Sequence, residues 1–135
     1  MSHVTVYCDG GSRGNPGPAA AGAVILRDKE VVAELQDYLG IATNNVAEYT
    51  AVVIALQKLH QLGIAEADFF LDSELVVRQL TGVYKVKNPD MKRLFEQVKN
   101  LSVGLKLSFT HVLREKNKHA DRMVNECLDK HSTNR

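Results

Sequence analysis

Four acidic residues stand where the ends of strands and the starts of helices would direct their carboxylates to one place. Asp9 directly follows a segment of alternating apolar residues, and Asp72 directly follows the apolar run Phe69-Phe70-Leu71. Glu48 falls in the first two turns of a long helical segment, and Asp121 in the first turn of the last one. Alone, each has a structural explanation, because Asp caps helices and helix N-termini favour anions. In an open α/β sheet, however, strand ends and helix N-termini gather at the edge where ligands bind.

Four carboxylates gathered at one edge would repel one another, so they require either raised pKa values or cations between them. Hard oxygen ligands without a neighbouring His or Cys favour Mg²⁺ or Mn²⁺ over zinc, and Mg²⁺ completes its shell with water and substrate phosphate. Two such ions about 4 Å apart can activate a water and stabilise the leaving oxygen of a phosphodiester. The residue types therefore predict metal-dependent phosphoryl transfer.

The apolar pattern predicts the elements that must position these carboxylates. The chain opens with three predicted strands, His3–Cys8, Ala21–Leu26 and Val31–Leu39. The links between them are short, which favours antiparallel neighbours. A long helix from Asn44 to Leu62 follows, because this segment contains neither Gly nor Pro.

Helices and strands alternate in the rest of the chain. A buried strand ends at Leu71, a short helix covers about 73–80, and an amphipathic helix covers 91–98. A fifth strand follows from Leu105 to Val112, and the last helix is apolar between Ala120 and Leu128. Because a strand, a helix and a strand in succession imply a parallel pair, we expect one α/β domain over residues 1–135. Its mixed five-stranded sheet has three antiparallel and then two parallel strands, with helices on both faces.

Composition places the chain among ordinary globular domains, with 135 residues, 44% hydrophobic and 24% charged. This excludes a disordered chain and a disulfide-stapled mini-protein. No apolar run approaches the ~18 residues of a membrane span, and the N-terminus lacks the regions of a signal peptide, so we expect a soluble, cytoplasmic protein. Cys8 and Cys127 lack paired or metal-type spacing and are expected to be buried thiols, with a disulfide as the alternative.

The net charge of +1 hides a division along the chain. Residues 1–77 carry a net charge of −6, and residues 78–135 carry +7. This asymmetry predicts separate acidic and basic regions, although a solvated helical surface with accidental clustering explains it equally well.

Four sequence blocks resemble the ribonuclease H type 1 family, and they occur in the family's order across nearly the whole chain. Each block alone is common, whereas four in this order are specific. The family's fold also has the element order predicted above. The blocks are Tyr7-Cys8-Asp9-Gly10-Gly11-Ser12 with Gly14-Asn15-Pro16-Gly17-Pro18, then Thr43-Asn44-Asn45-Val46-Ala47-Glu48, then Asp72-Ser73, and finally Ala120-Asp121.

The resemblance implies endonucleolytic hydrolysis of the RNA strand of an RNA/DNA hybrid, leaving a 3′-hydroxyl and a 5′-phosphate. It implies two Mg²⁺ or Mn²⁺ ions, with Asp9 bridging both and Asp121 completing the ion that activates water. Glu48 and Asp72 would hold the ion on the leaving side. Glu48 would also accept a hydrogen bond from a ribose 2′-hydroxyl, the group that distinguishes RNA from DNA. The expected protein is a monomer without a membrane or an obligate protein partner.

The same resemblance assigns contacts with the hybrid. Asn15, Asn44 and Asn45 would contact sugars or base edges in the minor groove, although Asn-Asn before a helix is also a good cap. Thr43 and Asn88 match the residues that hold a phosphate of the DNA strand. Lys85 and Lys87 would add charge there, within a block from Arg78 to Lys99 that holds six basic and two acidic residues.

Three departures from the family pattern affect the expected activity. Only residues 81–88 occupy the place of a long basic, Trp-rich protrusion, which predicts weaker hybrid affinity and stronger salt dependence. In many members the loop before the last helix carries a catalytic His, and here that loop reads Arg114-Glu115-Lys116-Asn117-Lys118-His119. The candidate auxiliary residues are therefore His119, Glu115 and Arg114. For His119, a surface role is the alternative. Glu74 stands where several relatives have a Gln that contacts the hybrid.

Two other functions remain open from the sequence. A hybrid-binding module with weak or no cleavage would bind hybrid without metal-dependent turnover. A nuclease of the resolvase or transposase type would cleave DNA and would usually form a dimer. The matches at Thr43-Asn44-Asn45 and Gly14-Asn15-Pro16 favour the ribonuclease instead.

Overall fold

The computed structural model describes residues 3–132 and contains five strands, four α-helices and one 3₁₀ turn. Among these residues, no helix combines the length and apolar character needed to cross a membrane. In chain order the elements are β1 Val4–Ser12, β2 Gly17–Arg27, β3 Glu30–Ala42, α1 Asn44–Leu62, β4 Glu66–Leu71, α2 Glu74–Leu80, α3 Pro89–Leu101, β5 Lys106–His111, the 3₁₀ turn Arg114–Lys116 and α4 Lys118–Ser132.

The strands form one mixed sheet in the order β3-β2-β1-β4-β5. β1, β2 and β3 pair antiparallel, whereas β4 pairs parallel with both β1 and β5. The predicted fold class and strand arrangement are therefore confirmed.

The position of Asp9 differs from the sequence prediction. It lies inside β1, because pairing with β2 continues as far as Ser12 opposite Ala19. The parallel pairing of β1 with β4 stops earlier, at Cys8 opposite Leu71. Backbone pairing needs no apolar side chain, so the small residues after Asp9 extend the strand beyond its alternating pattern. Asp9 thus stands where β1 separates from β4.

Two adjacent glycines show that α1 and α4 cover opposite faces of the sheet. A Cβ on Gly10 would lie 2.2 Å from the backbone carbon of Ala47 in α1, whereas one on Gly11 would contact Val124 of α4. Neighbouring residues in a strand point to opposite faces. Helices therefore lie on both sides of β1, as predicted.

The larger core lies between α1 and the sheet, and α1 also packs against α3. This sandwiched position explains why α1 is apolar around most of its circumference. A smaller core lies under α4, whose apolar stripe Val124, Cys127 and Leu128 packs on Ala20. Cys8 belongs to the first core and Cys127 to the second, and both are buried free thiols, as expected.

Each of the first three helices begins at a residue whose side chain caps it. Thr43 Oγ1 accepts from the Val46 amide at the start of α1, and Ser73 Oγ accepts from the Val76 amide at the start of α2. Asn88 Oδ1 accepts from two amides at the start of α3. These bonds satisfy amides that lack a partner within the helix, so they fix where each helix begins.

We expect Gly22→Ala to lower the free energy of unfolding by about 1–3 kcal/mol, because overpacking strains a closely packed interface. The added Cβ would lie 2.9 Å from the Ala120 carbonyl oxygen and 3.1 Å from the Val124 amide, both in the α4 backbone. Urea unfolding measures the change. Gly11→Ala is the matched control, because its nearest contact is Val124 Cγ1 at 3.7 Å. Equal stability of the two variants would contradict this close approach of α4 to the sheet.

Candidate active site

Three carboxylates from different elements meet beside the end of β4. Asp9 comes from β1, Glu48 from the second turn of α1, and Asp72 from the residue after β4. One oxygen of each lies within 4.8 Å of the others. Asp9 and Glu48 are only 6% exposed, and Asp72 is half-buried. This acidic trio brings together three of the four carboxylates that the sequence singled out.

Asp121 approaches the trio from α4 but is not part of it. It lies in the first turn of α4 and lines the same cleft, and its negative charge contributes to the raised pKa of Asp9. Because α4 covers one face of the sheet and α1 the other, Asp121 and Glu48 reach Asp9 from opposite sides of β1.

Burial and mutual repulsion make ionisation of the trio costly. Burial raises the pKa of Asp9 from 3.8 to about 7; a hydrogen bond with Glu48 opposes this rise, and the negative charges of Asp72 and Asp121 add to it. Burial, followed by the charge of Asp9, also raises the pKa of Glu48 well above 4.5. Desolvation disfavours a charged carboxylate, and a like charge nearby disfavours it further. Full ionisation of the trio at neutral pH therefore costs free energy.

Glu48 holds one oxygen in place and leaves the other without a partner. Its Oε1 accepts a hydrogen bond from the Gly10 amide at 3.2 Å. Its Oε2 is buried and has no hydrogen-bond partner among the described residues. A buried acceptor without a partner is costly, and a bound cation would remove that cost. The hard oxygen donors of the trio fit Mg²⁺ or Mn²⁺, so the site is compatible with a divalent metal.

A cleft of about 490 Å³ surrounds the carboxylates. Ser12, Asn44 and Asn45 line it on the side of β1 and α1, and Arg114 lines it near the start of α4. The cleft is open to solvent and far larger than a metal ion, so it has room for part of a polar substrate.

The asparagines near the cleft are joined in a short chain of hydrogen bonds. Asn15 Oδ1 accepts from the Asn44 amide, and Asn44 Oδ1 accepts from both the amide and the hydroxyl of Ser12. These bonds tie the turn after β1 to the start of α1. The side-chain oxygens are thereby engaged, whereas the Nδ2 groups of Asn15, Asn44 and Asn45 have no partner within residues 3–132.

Thr43 and Asn88 lie outside the cleft. Both cap helices, and a second groove lined by Thr43, Asp90 and Arg93 joins the start of α1 to the start of α3. Lys85 and Lys87 are exposed in the segment before α3.

The three candidate auxiliary residues occupy different places. Arg114 lines the cleft, whereas Glu115 is exposed and outside it. His119 points to β3, where its Nε2 pairs with Glu34 Oε2. Glu74 is paired with Arg78 at 2.7 Å, so its negative charge is offset locally.

Sequence reasoning missed Asn117, which lies directly before α4 and is only 1% exposed. Its Nδ2 donates to the Cys8 carbonyl at 2.8 Å and to Asp72 Oδ2 at 3.4 Å. The available signal was an Asn at the start of an amphipathic helix, four residues before Asp121, which indicates a helix boundary and no more.

Comparisons with known proteins agree with this geometry. A family model described as reverse transcriptase-like matches residues 7–127. Bifunctional protein Rv2228c of Mycobacterium tuberculosis is 43% identical over 129 residues, covering 93% of this chain and 35% of the relative. Ribonuclease HI of Halobacterium salinarum is 44% identical over 128 residues, covering 93% of this chain and 64% of the relative. The chain therefore spans about a third of the first relative and under two-thirds of the second.

Solved structures show the same similarity in three dimensions. The N-terminal RNase H domain of Rv2228c superimposes with a TM-score of 0.93 at 40% identity, covering 98% of each chain. LC11-RNase H1, isolated from compost and solved in complex with an RNA/DNA hybrid, gives a TM-score of 0.90 at 45% identity. That match covers 94% of this chain and 97% of the other. Family model, sequence relatives, sheet order and acidic trio agree, and the chain belongs to the ribonuclease H type 1 family.

Proposed function

We propose that this protein cleaves the RNA strand of RNA/DNA hybrids endonucleolytically, leaving a 3′-hydroxyl and a 5′-phosphate. The observation that carries the proposal is the trio of Asp9, Glu48 and Asp72, two of them buried, beside an open polar cleft. The relatives support it, because one is named ribonuclease HI and another was solved in complex with an RNA/DNA hybrid.

Asp9, Glu48, Asp72 and Asp121 are proposed to hold two Mg²⁺ or Mn²⁺ ions when substrate is bound. Such a pair supplies an activated water and stabilises negative charge on the leaving oxygen of a phosphodiester. Support comes from the raised pKa values of Asp9 and Glu48 and from the unpartnered Glu48 Oε2. A cation between these groups would lower the cost of their charge.

A hydrogen bond within the protein orients the Glu48 carboxylate before substrate binds. The Gly10 amide holds Glu48 Oε1, which leaves Oε2 without a hydrogen-bond partner among the described residues. Glu48 is proposed to accept a hydrogen bond from a ribose 2′-hydroxyl as well, since a carboxylate has several acceptor positions. Because only RNA carries that hydroxyl, this contact would select the RNA strand.

Asn15, Asn44 and Asn45 are proposed to donate hydrogen bonds to the hybrid. The oxygens of Asn15 and Asn44 are already engaged within the protein, so their Nδ2 groups are the atoms left for substrate. Minor-groove base edges and sugar oxygens are acceptors that suit such donors. Recognition of this kind responds to the shape of the hybrid and carries little sequence information.

Thr43 and Asn88, with Lys85 and Lys87, are proposed to hold a phosphate of the DNA strand. Thr43 lines the groove that joins the starts of α1 and α3, and Asn88 caps α3, whose first turn lines the same groove at Asp90. This supports the assignment, because helix N-termini favour anions. Arg114 is proposed as the auxiliary residue in place of the loop histidine, since it lines the cleft while His119 is paired with Glu34.

We expect Asp9→Asn to lower hybrid cleavage by at least about a thousandfold, because a neutral amide cannot replace the central carboxylate. The assay uses end-labelled RNA/DNA hybrid, double-stranded RNA and duplex DNA, each with Mg²⁺, Mn²⁺ or chelator. Asp37→Asn is the matched control, because Asp37 is exposed on β3 outside the cleft. Hybrid binding by the wild type without cleavage in either metal would instead favour a hybrid-binding module, and cleavage of duplex DNA would favour a resolvase-type nuclease.

We expect Asp9→Asn to stabilise the metal-free protein at pH 8 but not at pH 4. The pKa of Asp9 is raised from 3.8 to about 7, so its carboxyl group ionises in the unfolded chain before it does so in the folded one. The wild type therefore loses stability as the pH rises from about 4 to about 7 and does not regain it above that. The gain at pH 8 is about 1–3 kcal/mol, less than the full equivalent of the shift because burying the new Asn amide also costs free energy.

Urea unfolding in chelator at both pH values measures this difference, with Asp37→Asn again as the control. Equal stability of Asp9→Asn and wild type at pH 8 would show that the trio carries no electrostatic cost.

We expect Asn44→Asp to raise the KM for hybrid about tenfold with stability and kcat nearly unchanged. The new carboxylate still accepts from Ser12, but it lacks the Nδ2 donor and repels phosphate. Gln61→Glu is the charge-matched control, because Gln61 is exposed near the other end of α1. Steady-state kinetics on hybrid measure the effect, and a KM equal to that of Gln61→Glu would remove Asn44 from the substrate contacts.

A further inference from the structure

We propose that Asn117 is the positioning residue that holds the metal-binding carboxylates in register. The inference rests on the proposed function, because it concerns the same site. Asn117 contacts the chain beside three of the four carboxylates. Its Nδ2 donates to the Cys8 carbonyl, directly before Asp9, and to Asp72 Oδ2. Its own carbonyl accepts from the Asp121 amide at 3.1 Å.

The first of these contacts joins α4 to the sheet at the point where two strands separate. Pairing between β1 and β4 ends at Cys8 opposite Leu71, and Asp72 then leaves the sheet. The Asn117 amide reaches both sides of this separation, with 2.8 Å to the Cys8 carbonyl and 3.4 Å to Asp72 Oδ2. Since Nδ2 has two hydrogens, one group can serve both acceptors. The distance between Asp9 and Asp72 is thereby tied to a single side chain.

The second contact sets the start of α4. The hydrogen bond from the Asp121 amide to the Asn117 carbonyl belongs to the first turn of the helix. Asn117 is also almost fully buried, so its backbone cannot move independently of its side chain. Asp121 is therefore placed relative to Asp9 and Asp72 by the residue that also contacts Asp72.

The chemistry of an amide suits this position. Asp72 lies beside Asp9 and Glu48, so a carboxylate at position 117 would add repulsion. A lysine there would supply a cation that competes with the metal. An amide donor orients Asp72 without changing the charge of the site, and hydrogen-bond partners of metal ligands commonly act in this way.

The side-chain oxygen of Asn117 indicates that the position of this residue is not optimised for stability. Asn117 Oδ1 is buried and has no hydrogen-bond partner among residues 3–132. A buried acceptor without a partner costs free energy, and such exceptions call for an explanation. The role of Nδ2 at the carboxylates supplies one.

The test compares Asn117→Ala and the uncharged, near-isosteric Asn117→Leu with Val98→Ala, a control for lost stability. Val98 is 1% exposed and packs in the core beneath α3, away from the cleft. The first readout is Mg²⁺ and Mn²⁺ binding to each protein by isothermal titration calorimetry with a non-cleavable hybrid. We expect both Asn117 variants to bind metal about 10- to 100-fold more weakly, as is usual when a partner of a metal ligand is lost. Val98→Ala should bind as the wild type does, once corrected for the folded fraction.

The second readout separates positioning from substrate binding. We expect the Asn117 variants to lower kcat at fixed Mg²⁺ and to regain it at higher Mg²⁺, while the KM for hybrid stays within about twofold of wild type. A double-mutant cycle of Asn117→Ala with Asp72→Ala should be non-additive in metal affinity, because the amide acts through that carboxylate. If Asn117→Ala does not fold, Asn117→Leu carries both readouts, because it removes the donor while filling a similar volume and adding no charge.

Failure of this inference is distinguishable from failure of the proposed function. Metal affinity of both Asn117 variants equal to that of Val98→Ala, in a wild type that cleaves hybrid, would overturn the inference and leave the function standing. Weakened metal binding in the Asn117 variants of a protein that cleaves no hybrid would support the inference and overturn the function. Absence of metal binding by the wild type would overturn both.

Discussion

The mutual repulsion of three clustered carboxylates, two of them buried, is the constraint on which the arrangement of this protein depends. Asp9, Glu48 and Asp72 lie within 4.8 Å of one another, and burial and like charge raise the pKa values of Asp9 and Glu48. Left to itself, such a group would separate or take up protons. It stays together because each member belongs to a different element, and the packing of those elements fixes the distances.

Close approach of the helices to the sheet is what brings these elements together. Gly10 follows Asp9 directly and lets the α1 backbone come near β1 at Glu48. Gly22 lies opposite Asp9 in β2 and allows the same approach of α4 on the other face. A Cβ at either position would push a helix away from the sheet and its carboxylate away from Asp9. The glycines thus belong to the site although they carry no functional group.

Hydrogen bonds within the protein engage the side-chain oxygens of several polar residues near the site. Thr43 and Asn88 use their oxygens to start helices, and Asn44 uses its oxygen to hold the turn after β1. Their side-chain donors have no partner among residues 3–132, which is why the proposed function assigns the same side chains to the hybrid. Asn117 is the inverse case, because its donor is used inside the protein and its oxygen is left unpaired.

The sequence by itself determined the order and type of the elements, and it singled out four carboxylates that line one cleft. Alternation and helical periodicity are local properties, so they survive in a single chain without any contact information. Only the tertiary structure decided that Asp121 stands outside the trio, that His119 pairs with Glu34, and that Asn117 reaches the Cys8 carbonyl. The last two contacts join residues 85 and 109 positions apart. No local pattern encodes such separations, because they arise from how strands and helices stack once the sheet has formed.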